Sequence, residues 1–79
     1  MPDVPLRRPR EIVKAFQTLG REVARQKGSH IILVKGGHPA TLSVPNHSQV
    51  ARGTLRGLIS KAGLTVEEFL EALKGQQSP

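Results

Sequence analysis

The chain has 79 residues, enough for one small domain spanning 1–79 and no second one. It has no cysteine, so neither a disulfide staple nor a thiolate zinc site supports it. Twelve Lys and Arg against six Asp and Glu give a net charge of +6, a balance that attracts polyanions, of which nucleic acid is the commonest.

The charge is uneven. Residues 7–61 carry eleven basic side chains and two acidic ones, whereas Glu67, Glu68 and Glu71 face only Lys74 near the end. The alternative use of such charge is solubility. No apolar run reaches the ~20 residues of a membrane span, and the basic start has no apolar stretch behind it, so no secretory signal is expected. No membrane association is expected, and a cytoplasmic protein is the default. With two Phe and no Tyr or Trp, modules that read single-stranded bases by aromatic stacking are disfavoured. Contacts to a nucleic-acid backbone need no aromatics.

Residues 1–8 read as a flexible basic leader and 9–74 as the folded part. Pro9 suits a first helical position, and Ile12, Val13, Phe16 and Leu19 recur at helical spacing, which predicts a helix over 9–19 closed by Gly20. Residues 21–26 are short and mostly polar, an edge-like strand. A turn at Lys27-Gly28-Ser29 leads to the β-branched strand 30–35. Gly36-Gly37-His38-Pro39 is a second turn, and 40–44 alternates, with Leu42 and Val44 on one face. Two short turns leave room only for an antiparallel meander. After a polar loop, Leu55, Leu58, Ile59 and Ala62 mark a helix over 53–62. Thr65 and Glu68 form a capping box for a last helix over 66–74 that buries Val66, Phe69, Leu70 and Leu73. Residues 75–79 are a tail.

The order α-β-β-β-α-α describes an α+β fold, a three-stranded antiparallel sheet with helices packed on one face. If Ile31 and Leu33 face the helices, His30, Ile32 and Val34 face away. Aliphatic Ile32 and Val34 on an open face suggest a covered surface, a homodimer or partner interface. The alternative is a locally apolar face with nothing on it.

Three histidines, His30, His38 and His47, are the main chemical candidates. No HExxH pattern or helical ligand spacing joins them, the carboxylates form no clustered motif for two-metal chemistry, and Gly36-Gly37-His38 lacks a phosphate loop. No metal or other cofactor is expected. Metal-independent acid–base chemistry remains, because imidazole exchanges protons near neutral pH. An RNA strand carries its own nucleophile, the 2′-OH. Beside His30 the turn supplies a cation, a hydroxyl and backbone amides, as phosphate handling needs. A lone histidine at a strand start is more commonly structural or solvated. His38 reads as solvated.

The run Arg25-Gln26-Lys27-Gly28-Ser29-His30, the strand ending Val44-Pro45-Asn46-His47, and Gly53-Thr54-Leu55 followed by Ala62-Gly63-Leu64 resemble the HicA toxin family. The resemblance covers about Pro9 to Leu73. It implies a double-stranded-RNA-binding-domain-like fold, an mRNA interferase activity and a HicB-type antitoxin as partner. It also implies that His30 is the catalytic acid–base residue. Gly28 would permit the tight turn. Lys27 and Ser29 would position a phosphate, which is read from their chemistry and not from the family. His47 matches the histidine after the Val-Pro pair, either a second proton-transfer group or a loop-ordering one. Arg52 and Arg56, four apart on the second helix, would hold backbone phosphates or form an ordinary solvated face. The chain departs from the family at Ser48-Gln49-Val50-Ala51-Arg52, often rich in lysine and proline, and at Ile32, often polar.

Two functions follow as expectations. The first is the toxin component of a type II toxin–antitoxin system, a metal-independent endoribonuclease that cleaves mRNA by histidine-assisted 2′-OH attack and so inhibits translation and growth. The second is a non-catalytic module that binds double-stranded RNA.

Overall fold

The computed structural model describes residues 4–75. Its elements run α1 (Pro9–Thr18), β1 (Glu22–Lys27), β2 (His30–Lys35), β3 (His38–Pro45), α2 (Arg52–Lys61) and α3 (Val66–Gly75). The strands form one antiparallel sheet in the order β1-β2-β3, and the helices cover one of its faces. This is the expected α+β arrangement of the double-stranded-RNA-binding-domain type. Among the described residues no helix is long and apolar enough to cross a membrane.

Periodicity explains the layering. Leu33 of β2 and Leu42 and Val44 of β3 are fully buried, as are Ile12 and Phe16 of α1, Leu55 of α2 and Phe69 of α3. Each such side chain contributes about 1.5–3 kcal/mol by leaving water. The Phe16 and Phe69 rings meet with centroids 5.0 Å apart and planes tilted by 53°, an arrangement that the ring quadrupoles favour. Ile31 packs partly into the same core, while Val34 is exposed, so the expected facing of β2 holds.

Local chemistry sets the ends. Pro9 starts α1, and α1 closes when Gly20, at φ 99°, lets the Arg21 amide reach back to the Phe16 carbonyl at 2.9 Å. At α3 the capping box forms in both directions. The Thr65 amide donates to Glu68 Oε1 at 2.8 Å, and the Glu68 amide to Thr65 Oγ1 at 3.1 Å. Ala72 is buried in α3, whereas Leu70 is half-buried.

Three expectations are corrected. The leader is not loose over residues 4–8. Val4 is fully buried, the Val50 amide donates to the Arg7 carbonyl at 3.0 Å, and Arg52 Nε donates to the Val4 carbonyl at 3.1 Å. The buried side chain and the two hydrogen bonds together tie this segment to the domain. Residues 1–3, and 76–79 of the expected tail, lie outside the described residues. The second turn contracts to Gly36-Gly37, and β3 starts at His38. Pro39 is tolerated there because β3 is an edge strand.

Arg21 and His38 also depart from expectation. Arg21 is 3% exposed. Its Nη1 donates to the Ala40 carbonyl at 2.7 Å and its Nη2 lies 3.2 Å from His38 Nδ1. Desolvation pulls the guanidinium pKa below its ordinary value. His38, expected to be solvated, is half-buried in this contact.

Candidate catalytic face

His30 is the first residue of β2 and stands directly across from Lys27 on β1 and Pro45 on β3. Gly28 and Ser29 make the two-residue link between Lys27 and His30. Gly28 has φ 58° while Ser29 does not enter the positive region, which is the glycine-first pattern of a type II′ hairpin turn. A Cβ on Gly28 would meet nothing within 4 Å. The glycine is therefore required by the backbone angle and not by crowding.

This turn is tied to the loop after β3. The Asn46 amide donates to the Ser29 carbonyl at 2.6 Å, which brings the segment bearing His47 beside the Ser29-His30 corner. Both histidines are exposed, and among the described residues neither ring has a hydrogen-bond partner. Lys27 and Ser29 are exposed at the same corner.

The facing of each strand decides what else shares the surface. Side chains directly opposite one another in an antiparallel pair lie on the same face. Leu33 is buried, so its partners Val23 and Leu42 belong to the helix side, although Val23 is 44% exposed. His30 and Ile32 then belong to the open side, with Lys27, Ser43 and Pro45 beside them. Between Val23 and Arg25 the register shifts, and Ala24 is the extra residue of a β-bulge. Strict alternation would send Arg25 to the side of Val23. The bulge instead pairs Arg25 with Ile32 and turns it to the open side. Sequence reasoning missed this, because an inserted residue leaves no mark in a polar strand.

The remaining expected residues lie elsewhere. His38 pairs with Lys35 at the far end of β2. That is five residues, or roughly 17 Å, from His30 at ~3.3 Å per residue. Arg52 and Arg56 sit on α2, whose buried Leu55, Leu58 and Ile59 place it in the helix layer and not on the face that bears His30. Arg52 is also engaged through Nε with the Val4 carbonyl. Among the described residues no three His, Asp or Glu side chains converge as a metal site.

A family model described as the HicA toxin of bacterial toxin–antitoxin systems matches residues 9–64. The chain belongs to the HicA toxin family. The match runs from the start of α1 to the turn after α2, and so takes in the whole sheet, His30 and His47. No curated protein matches the chain. Membership in the HicA family makes the chain a toxin of a toxin–antitoxin pair and implies an antitoxin as its partner. It also gives α3 a defined status. This helix lies outside the matched segment yet supplies Phe69, fully buried, to the common core.

Proposed function

We propose that this HicA toxin is a metal-independent endoribonuclease that cleaves mRNA, with His30 as its acid–base residue. The observation that supports the reading is the exposed His30 imidazole, seated at a glycine-fixed hairpin corner directly across from Lys27 in a chain of this family.

His30 takes the proton of a ribose 2′-OH, and O2′ attacks the adjacent phosphorus. Negative charge grows on the phosphoryl oxygens, where Lys27 and the turn stabilise it. The bond to the 5′-oxygen breaks, that oxygen gains a proton, and the products are a 2′,3′-cyclic phosphate and a 5′-hydroxyl. His47, exposed on the loop beside this corner, delivers this second proton. Loss of intact mRNA then stops translation and growth in the cytoplasm. A HicB-type antitoxin lying over the open sheet face would mask His30, with Ile32 and Val34 as its apolar footing. A second copy of the chain is the other occupant that footing suits.

The α-β-β-β-α order itself favours one other reading, a non-catalytic binder of double-stranded RNA. Incubating a long mRNA with wild type and His30→Ala in EDTA, with folding followed by circular dichroism, separates the two. Cleavage by the wild type alone supports the ribonuclease. Equal cleavage by both removes His30 from the mechanism. No cleavage by either folded protein, with salt-dependent duplex binding indifferent to His30, leaves the binding module.

A further inference from the structure

Lys27 alone supplies one cation beside His30, and an RNA strand presents a phosphate at every nucleotide. The bulge at Ala24 brings a second cation to the same side. Arg25 and Lys27 are both exposed, lie two residues apart on the edge strand β1 and face the open side of the sheet. Two residues of strand span roughly 6.6 Å, close to the separation of neighbouring phosphates along an extended RNA strand. Lys27 is the direct cross-strand neighbour of His30, and Arg25 is its diagonal neighbour, roughly 7–8 Å away between backbones and within reach of an arginine side chain.

The surroundings suit an anion. Among the described residues neither Arg25 nor Lys27 is held in an ion pair. Neither β2 nor β3 carries an acidic residue. The one acidic group on β1 is Glu22, at its far end across from Val34. Arg25 stands over Ile32, whose aliphatic surface can carry the arginine stem while the guanidinium stays free. A guanidinium takes a phosphate through two parallel hydrogen bonds, which fixes orientation as well as charge.

We infer that Arg25 is a second phosphate-binding residue of this face, which together with Lys27 holds two successive phosphates of a single RNA strand led across the β1 edge to His30. The inference rests on the ribonuclease reading for what happens at His30, but the binding it describes does not depend on cleavage. The other role for an exposed arginine on an edge strand is to discourage pairing with another sheet.

The test uses the full chain with Arg25→Ala, Arg25→Lys and His30→Ala. Affinity is measured for an uncleavable 2′-deoxy oligonucleotide over a range of salt, and kcat and KM for the matching RNA in EDTA. Arg25→Ala should bind the analogue about tenfold more weakly, with a salt slope shallower by ~0.7 as one phosphate contact is lost. Its KM should rise by a similar factor. Arg25→Lys should restore the salt slope but only part of the affinity, and His30→Ala should bind like the wild type while failing to cleave. An Arg25→Ala protein with unchanged affinity, slope and KM would overturn the inference and leave Arg25 as a protective edge charge. Full cleavage by His30→Ala would instead remove the ribonuclease mechanism, with the effect of Arg25 on binding still read from the analogue.

Discussion

Arg21 Nη2 lies 3.2 Å from His38 Nδ1 in a half-buried contact at the end of the sheet farthest from His30. A guanidinium has only donors, so Nδ1 is the acceptor in this contact. The Ala40 amide points at the same nitrogen at 3.3 Å. The ring also lies against the turn between α2 and α3, with Nε2 3.7 Å from where a Cβ on Gly63 would stand. His38 thus organises structure, at the end of the sheet opposite His30.

His38→Ala is therefore expected to destabilise the fold without touching the proposed RNA cleavage. Two donors lose an acceptor, at a cost of about 1–3 kcal/mol. Arg21→Ala should cost more, because it also strips the Ala40 carbonyl of its 2.7 Å partner. Urea midpoints check the order. Cleavage by the folded fraction of His38→Ala should match the wild type, and a specific loss of activity would bring His38 into the mechanism.

The packed leader gives a second prediction. Val4→Ala removes two buried methyl groups at ~0.8 kcal/mol each, and the residual cavity brings the cost to about 2 kcal/mol. For a domain of this size the melting temperature should fall by roughly 10 °C. Arg52→Ala should lower it as well, by releasing the Val4 carbonyl. If Arg52 acts only through this tie, its loss leaves the salt dependence of RNA binding unchanged. A shallower slope would restore the phosphate role expected from sequence.

Helix α3 lies beyond the matched segment, yet Phe69 is fully buried against Phe16. Phe69→Ala should cost about 3–5 kcal/mol, which is comparable with the whole stability of a small domain. The variant should be largely unfolded by near-ultraviolet and far-ultraviolet circular dichroism at 25 °C, while Phe69→Leu stays folded. A fully folded Phe69→Ala would mean that α3 is dispensable.

Most of the fold was legible because the signals were local. The Pro9 start, the Thr65–Glu68 box, the alternation of Leu42 and Val44, and the glycine turns each declare one element through nearby residues. The candidate site was legible only through the Gly28-Ser29-His30 corner, and the role proposed for it came from family likeness, since a strand-end histidine is chemically ambiguous. What stayed hidden depends on contacts distant in sequence. Arg21 reads as an edge-strand charge until Ala40 and His38 close over it, and Val4 reads as leader until Val50 and Arg52 meet it. The bulge at Ala24 is set by pairing with β2, so the facing of Arg25 could not be read from β1 alone.

His47 is expected to act as the second proton-transfer group. Its loop is fixed to the hairpin corner by the Asn46 amide on the Ser29 carbonyl at 2.6 Å, and its exposed ring has no partner among the described residues. If His30 removes the 2′-proton and His47 delivers one to the leaving 5′-oxygen, catalysis needs one ring unprotonated and the other protonated. The rate then follows a bell-shaped pH profile. His47→Ala should retain folding and analogue binding, lose most of its rate and show only the limb on which activity rises with pH. Restoring a better leaving group, a 5′-thio-substituted phosphodiester that departs without a proton, should recover much of that rate in His47→Ala and none of it in His30→Ala. A bell that survives in His47→Ala would assign the second proton to water or to another group at the corner.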